Sequence, residues 1–380
     1  MKAGELTLKG GNRKLFESVL QRNIKTMLAD CNARLETKNG RYYLYGYEEE
    51  QAAVENVLNR LAGIAGWSRA RVVPKKADAV FAACIEEGKK LVSQGISTFK
   101  IEARRTDKSF PEDSYTMRCK GGEAVLEAVP GLKVDVHNPG AVICIEIREK
   151  AYIYSEAQKG LGGLPVGTAG RGLLLLSGGI DSPVAGLLMA LRGMGIDAVH
   201  FHAYPYTSAE AKEKVIRLAK ILGGYCMGIQ FFAIGFTKVQ QRIKERSPAA
   251  WSTVLLRMAM TACAEKIALK IKCKCLITGE SLSQVASQTI ENITCTQSGL
   301  TLPVLRPLIG MDKDAIIRKA RKIGTYQISI EPHEDCCVLF TPPHPVLRGD
   351  PAEAANLYAA LELEPLIEEA IRECQVIKIG

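Results

Sequence analysis

The hexapeptide Ser177-Gly-Gly-Ile-Asp-Ser182 follows the apolar run 173–176 and precedes a helical pattern over residues 183–192. Its glycines let backbone N–H groups close around phosphate oxygens, and the start of the next helix adds a favourable dipole. The chemistry implied is nucleotide phosphate binding, with Asp181 placed to hold a divalent cation against the phosphates. The lysine-containing loop Gly-x-x-x-x-Gly-Lys-Ser/Thr is absent, so this is a different class of phosphate site. A tight turn capped by Asp181 is the bland alternative. The strand, loop and helix order argues against it.

A second polar stretch, Gly279-Glu-Ser-Leu-Ser-Gln-Val-Ala-Ser-Gln-Thr289, also follows an apolar strand pattern. Alone it reads as a capped helix start; beside the first loop it reads as a second wall for the nucleotide. His200 and His202 share one face of a strand. With no third ligand at a metal-binding spacing, a structural or adenosine-lining role is expected for them. Cys273 and Cys275 form C-x-C without a partner pair, a poor match to zinc. Adjacent Cys336 and Cys337 follow Glu334 and Asp335 in a segment with Pro332, His333, Pro342, Pro343 and His344. Such a thiol can carry sulfur as a persulfide if local charge favours the thiolate. The neighbouring acids do not, and inert buried cysteines are the competing reading.

The elements that must position these residues fall into three regions. To about residue 60 the pattern is a small α+β unit: a helix over 14–28, an aromatic strand over 41–47 and a helix over 49–61. From 61 to 165 comes a second unit, with a strand over 67–73, a helix over 77–94 and short alternating runs at 98–103, 133–136 and 141–147. Six glycines and a proline within residues 160–172 suggest a flexible connection. Beyond it, strands at 173–176, 196–202, 226–232 and 275–278 alternate with helices at 183–192, 209–222 and 252–271. That alternation predicts a doubly wound parallel sheet covered on both faces, with ligands beyond the strand C-termini.

The 380 residues are 47% hydrophobic and 24% charged, which excludes wholesale disorder. The most apolar stretch, 172–191, is interrupted by Ser177, Gly178, Gly179 and Asp181, so a membrane span is not expected. Twelve cysteines behind an N-terminus without an apolar signal core point to the cytoplasm. Residues 201–322 hold 19 basic against 8 acidic side chains, whereas 331–380 hold 3 against 10. A basic body with an acidic tail suits a polyanionic partner, although charge alone fits ordinary solubility equally well.

The loop at 177–182 resembles the pyrophosphate-binding loop of ATP pyrophosphatases that release AMP. Taken with four further motifs in order, the chain resembles the tRNA 4-thiouridine synthetases, which are tRNA sulfurtransferases also linked to thiamine thiazole synthesis. Those motifs are the opening Gly4-Glu-Leu-Thr-Leu-Lys-Gly-Gly-Asn-Arg13, residues 279–289, Asp312-Lys313-Asp314, and Glu334-Asp-Cys-Cys337. The resemblance implies an α/β protein in three parts. These are a ferredoxin-like domain over 1–60, a THUMP RNA-binding domain over 61–165, and an adenine nucleotide alpha hydrolase-like PP-loop domain over 166–380. It implies an ATP site at Leu175, Leu176, Ser177, Gly178, Gly179, Asp181, Ser182, His200, Phe201, Arg257, Gly279 and Gln288, with Mg2+ on Asp181. Lys313 would stabilise phosphate charge and Cys336 would relay sulfur, with Cys337 a substitute.

The implied reaction adenylates uridine 8 of tRNA and replaces its C4 oxygen by persulfide sulfur from a cysteine desulfurase. A thiamine sulfur carrier protein as second acceptor, and a homodimer, also follow from the resemblance. No rhodanese domain is expected after residue 380, so Cys226 or Cys336 becomes the candidate for closing a disulfide. Only Met1 to Ala3 precede the opening motif, so the ferredoxin-like unit is expected to lack its first strand. Two other readings remain: a pyrophosphatase adenylating a small molecule, which would not bind tRNA, and a non-catalytic RNA-binding protein, which would never form AMP.

Overall fold

The computed structural model describes residues 1–332 and 342–380. Its backbone gathers into two compact units. The first comprises residues 1–3, 37–43 and 64–160. At its centre Thr98–Arg105 runs parallel to Ala141–Ile147, which pairs antiparallel with Ala151–Tyr154. Lys133–Val134 and Arg71–Val73 form the two edges. Alternation along the central strands sends Phe99, Ile101, Ile143 and Ile145 inward, against Val80, Leu91 and Met117 of two covering helices, Ala77–Ser93 and Ser114–Ala128. The second helix was not foreseen. Gly121 and Gly122 interrupt its apolar period, and its start depends on Asp113, whose side chain accepts the Thr116 N–H at 2.7 Å.

Residues 67–73, expected as one strand, belong to two. Ile64–Trp67 joins another sheet, and Arg71–Val73 pairs with Ala151–Tyr154. That other sheet runs Gln158–Lys159, Ile64–Trp67, Lys2–Ala3, Arg41–Tyr45, Arg34–Lys38. The strand expected to be missing is therefore present as Lys2–Ala3, paired on both sides. Two residues carry no legible alternation, which is why the sequence pattern passed over it.

The second unit comprises residues 4–36, 44–63 and 161–380. Its sheet orders Val304–Leu305, Leu276–Ile277, Arg171–Leu175, Gly195–His202, Ile229–Gly235 and Gln375–Ile379, all parallel except the last. Gly195–His202 is buried along nearly its whole length, as a parallel strand covered on both faces requires. One face packs on Ser252–Lys270, Thr237–Arg246 and Glu364–Arg372. The other packs on Asp181–Leu191, Ala209–Cys226 and Lys313–Ile323.

The glycine-rich stretch entering this sheet is no free linker. Leu164 N–H donates to Leu191 C=O at 2.9 Å, and the Gly167 and Ala169 N–H groups both reach Gly193 C=O, at 2.8 and 2.9 Å. Glycine density reads as looseness in a sequence; here the stretch is strapped along the end of the first helix. Among the described residues no helix is long and apolar enough to cross a membrane.

Candidate nucleotide site at the strand ends

The loop at 177–182 leaves the sheet at Leu176 and closes on itself. Ser182 Oγ accepts the Ser177 N–H at 3.0 Å, and Ser177 Oγ accepts the Gly179 N–H at 3.3 Å. The helix Asp181–Leu191 begins without any side-chain cap, unlike Ala209–Cys226, capped by Ser208, and Lys313–Ile323, capped by Asp312. An uncapped first turn beside a glycine loop presents N–H groups and dipole to an anion.

Two loops converge on that helix start. Asp181 Oδ1 accepts from Lys313 Nζ at 2.6 Å, and Asp181 Oδ2 accepts from Gln284 Nε2 at 3.1 Å. Gly279 lies so close that a Cβ there would sit 2.7 Å from Ser182 N, a contact only glycine permits. The tip of the 279–289 loop is braced by Gln288, whose side-chain oxygen accepts the Ser281 N–H at 3.3 Å and whose C=O accepts the Ser283 N–H at 2.9 Å. On the third side, Ser329 Oγ donates to Gly179 C=O at 3.3 Å.

Beneath the loop, His200 is buried, with Nδ1–H directed at Leu176 C=O at 3.0 Å. Burial pushes its pKa down to about 4, so the ring is neutral at pH 7. The unfolded ring titrates near pH 6.5, so between pH 6.5 and 4 the unfolded chain binds more protons than the folded one. Stability therefore falls with falling pH through that window, by up to about 3 kcal/mol from this residue. The melting temperature is expected to drop on acidification from pH 7 to 4, with a shallower drop in His200→Gln. Parallel slopes for the two proteins would assign the acid sensitivity elsewhere.

The ring of Phe201 packs against Phe236, centroids 4.7 Å apart, so this residue has only its backbone to offer a ligand. That backbone has an open side. Pairing of Gly195–His202 with Arg171–Leu175 ends at Val199, whereas pairing with Ile229–Gly235 continues to His202. Leu175 is half-buried and Leu176 buried at the mouth of the loop.

The residues missed by sequence reasoning are Gln284, Glu280 and Arg306. Glu280 is buried and bonded to three partners: Arg257 through a close ion pair, Arg306 Nε at 2.7 Å and Thr278 Oγ1 at 2.8 Å. Burial alone pushes its carboxyl up; the charges of Arg257 and Arg306, with the Thr278 hydroxyl, outweigh that and hold it below the usual carboxylate range. A signal existed. Arg257 is the sole charge in the first half of the largely buried helix Ser252–Lys270, Glu280 stands three residues beyond the buried strand end at Ile277, and buried charges come in pairs.

Cys336 and Cys337 lie outside the described residues. Before them, Glu331 is tied to the Ala209–Cys226 helix: its carboxylate pairs with Arg217, and its C=O accepts from the buried Lys214 Nζ at 2.9 Å. Cys226 does not suit sulfur exchange. It is buried in the core near the N-terminal ends of the strands, opposite the site, and burial, with Asp197 nearby, raises its thiol.

The residues present suit ATP: a glycine loop, an uncapped helix start and the ammonium of Lys313 in one place. Among the described residues one carboxylate, Asp181, stands at the loop for a divalent ion, the usual protein share where phosphates supply further oxygens. Residues 167–363 match the family model described as thiamine biosynthesis protein (ThiI). Residues 1–68 match the ThiI ferredoxin-like domain and 74–156 the THUMP domain. A probable tRNA sulfurtransferase of Treponema pallidum (strain Nichols) is 48% identical over 372 residues, 97% of this chain and 92% of that protein. One from Caldanaerobacter subterraneus subsp. tengcongensis is 47% identical over 92% of this chain and 91% of its own. A solved 4-thiouridine synthetase–RNA complex with bound ATP superposes with a TM-score of 0.92 at 36% identity, covering 100% of this chain and 98% of that one.

Proposed function

This chain belongs to the ThiI family of tRNA sulfurtransferases, and from that premise we propose how its residues divide the reaction. It is an ATP-dependent enzyme that makes 4-thiouridine in tRNA. The observation that carries the residue assignment is the meeting of Asp181, Lys313 and Gln284 at the uncapped start of the helix after the glycine loop. Residues 177–182 hold the pyrophosphate portion of ATP, and Gly279 and Gln288 form the opposing wall. The open backbone edge at 200–202 takes the adenine, with Leu175 and Leu176 beside it, and Arg257 contacts the phosphates. Asp181 is the residue that would hold Mg2+, which when bound neutralises phosphate charge.

Oxygen is a poor leaving group at C4 of uridine, and adenylation replaces it with a good one. The C4 oxygen of uridine 8 attacks the α-phosphorus, pyrophosphate leaves, and Lys313 stabilises the charge that develops. The terminal sulfur of a Cys336 persulfide, loaded by a cysteine desulfurase, then attacks C4 and expels AMP. A second thiolate attacks the Cys336 sulfur, leaving 4-thiouridine and a disulfide that a dithiol must reduce. The burial of Cys226 argues for another cysteine, or a partner's, in that last role.

Residues 1–60 and 61–165 hold the tRNA while residues 166–380 carry the chemistry, a division supported by the ranges of the three family matches. The reading also places the enzyme in the cytoplasm, as a homodimer, with a thiamine sulfur carrier protein as a further acceptor. Unmodified tRNA incubated with ATP, magnesium, cysteine and a cysteine desulfurase is expected to yield AMP and 4-thiouridine together. AMP formation that needs no tRNA would instead favour a small-molecule pyrophosphatase. tRNA binding should weaken steeply with salt.

A further inference from the structure

Glu280 is an expensive residue to keep. Its side chain is 4% exposed, and an ionised carboxylate at that depth persists only if partners compensate it. Both of its oxygens are occupied, one by Arg257 and the other by Arg306 Nε and Thr278 Oγ1. The two arginines are not equivalent. Arg306 is 13% exposed and its Nη1 donates within the fold, to Gln297 Oε1 at 2.9 Å and Val304 C=O at 3.4 Å. Arg257 is 24% exposed and held at its tip alone, by Glu280 and by Ser287 Oγ at 3.3 Å.

The Nε of Arg257 is buried with no hydrogen-bond partner among the described residues. Leaving a buried donor unpaired costs stability, because its desolvation is not compensated. The orientation of Arg257 is therefore not the one that best satisfies the arginine itself; the grip of Glu280 imposes it. Glu280 also follows directly on Gly279, the residue packed against the helix start at Ser182. The loop that closes on the phosphate site thus carries the carboxylate that aims the arginine.

We propose that Glu280 is a positioning residue for ATP, holding the Arg257 guanidinium in a binding-competent orientation while Arg306 neutralises the second half of its charge. The inference rests on the reading of Arg257 as a nucleotide contact. Without Glu280, Arg257 keeps its charge but regains its rotamers, and the ordering cost moves to the moment of binding.

The test is ATP affinity measured by calorimetry on the full-length protein with magnesium and no tRNA, so that no turnover enters. Glu280→Gln is expected to weaken ATP binding about tenfold, and Arg257→Met by at least as much. The double variant should bind no more weakly than Arg257→Met alone, because both changes remove the same contact. Glu280→Gln with Arg306→Met removes the excess buried charge; it should regain melting temperature without regaining affinity. Recovery of affinity in that variant would reduce Glu280 to charge balance and overturn the inference. Unchanged affinity in Glu280→Gln would overturn it too. Should Glu280→Gln fail to fold, Glu280→Asp keeps the charge but retracts the carboxylate by one methylene, and is expected to weaken binding severalfold. Unchanged affinity in Arg257→Met would instead remove the underlying reading.

Discussion

Asp181→Asn is expected to lower AMP release and 4-thiouridine formation together, by at least ~10²-fold, with tRNA affinity unchanged. The magnitude follows from what one charged group contributes where charge develops in a preorganised site. Asparagine preserves the shape at the helix start, and its amide oxygen can still accept one hydrogen bond. It cannot pair with Lys313 as an ion, nor hold a divalent cation on one face while Gln284 donates to the other. The variant therefore separates charge from fold. A melting temperature close to wild type together with lost AMP release places Asp181 in the chemistry. Full AMP release would return the loop to a tight turn and leave the phosphate site without its cation.

Cys336→Ser is expected to abolish 4-thiouridine while tRNA-dependent AMP release continues. Adenylation needs no thiol, and a serine hydroxyl can neither carry a sulfane sulfur nor resolve a disulfide. The two products should thus uncouple, with AMP accumulating as the activated uridine is lost to water. Cys337→Ser should retain both. If Cys337→Ser is the variant that uncouples them, the relay belongs to that neighbour. If Cys336→Ser stops AMP as well, the segment serves adenylation rather than sulfur transfer. The contacts of Glu331 with Lys214 and Arg217 show that the chain leading into these cysteines is firmly held up to that point.

Much of the catalytic sheet was legible because parallel strands buried on both faces read as unbroken apolar runs, and the helices between them as 3.6-residue periods. The glycine loop at 177–182 was legible because its residues are contiguous in sequence. Elements too short or too polar to set a period escaped: Lys2–Ala3, Val304–Leu305, and the glycine-interrupted helix Ser114–Ala128. The Glu280 cluster escaped for another reason. Its members come from residues 257, 278, 280, 287 and 306, and only folding brings them within hydrogen-bond reach. Single charges in apolar surroundings announce that a partner exists without saying which. Phe201 shows the reverse limit: its place near the end of the strand was readable, but not that its ring would be spent on Phe236.

The antiparallel strand Gln375–Ile379 has a consequence for biosynthesis. It covers the outer edge of Ile229–Gly235, and the ladder runs from Ile229 opposite Ile379 to Ala233 opposite Gln375. During vectorial synthesis the inner strand emerges first, and its partner follows only about 140 residues later. At ~5–20 residues per second the interval is on the order of ten seconds. Through that interval the nascent chain carries an open row of backbone donors and acceptors on an apolar strand, a template for pairing with any other extended chain. Ribosomes queued on one message hold many such templates close together. Emergence of the late strand Gln375–Ile379, rather than completion of the nucleotide loop, is the event that covers this edge.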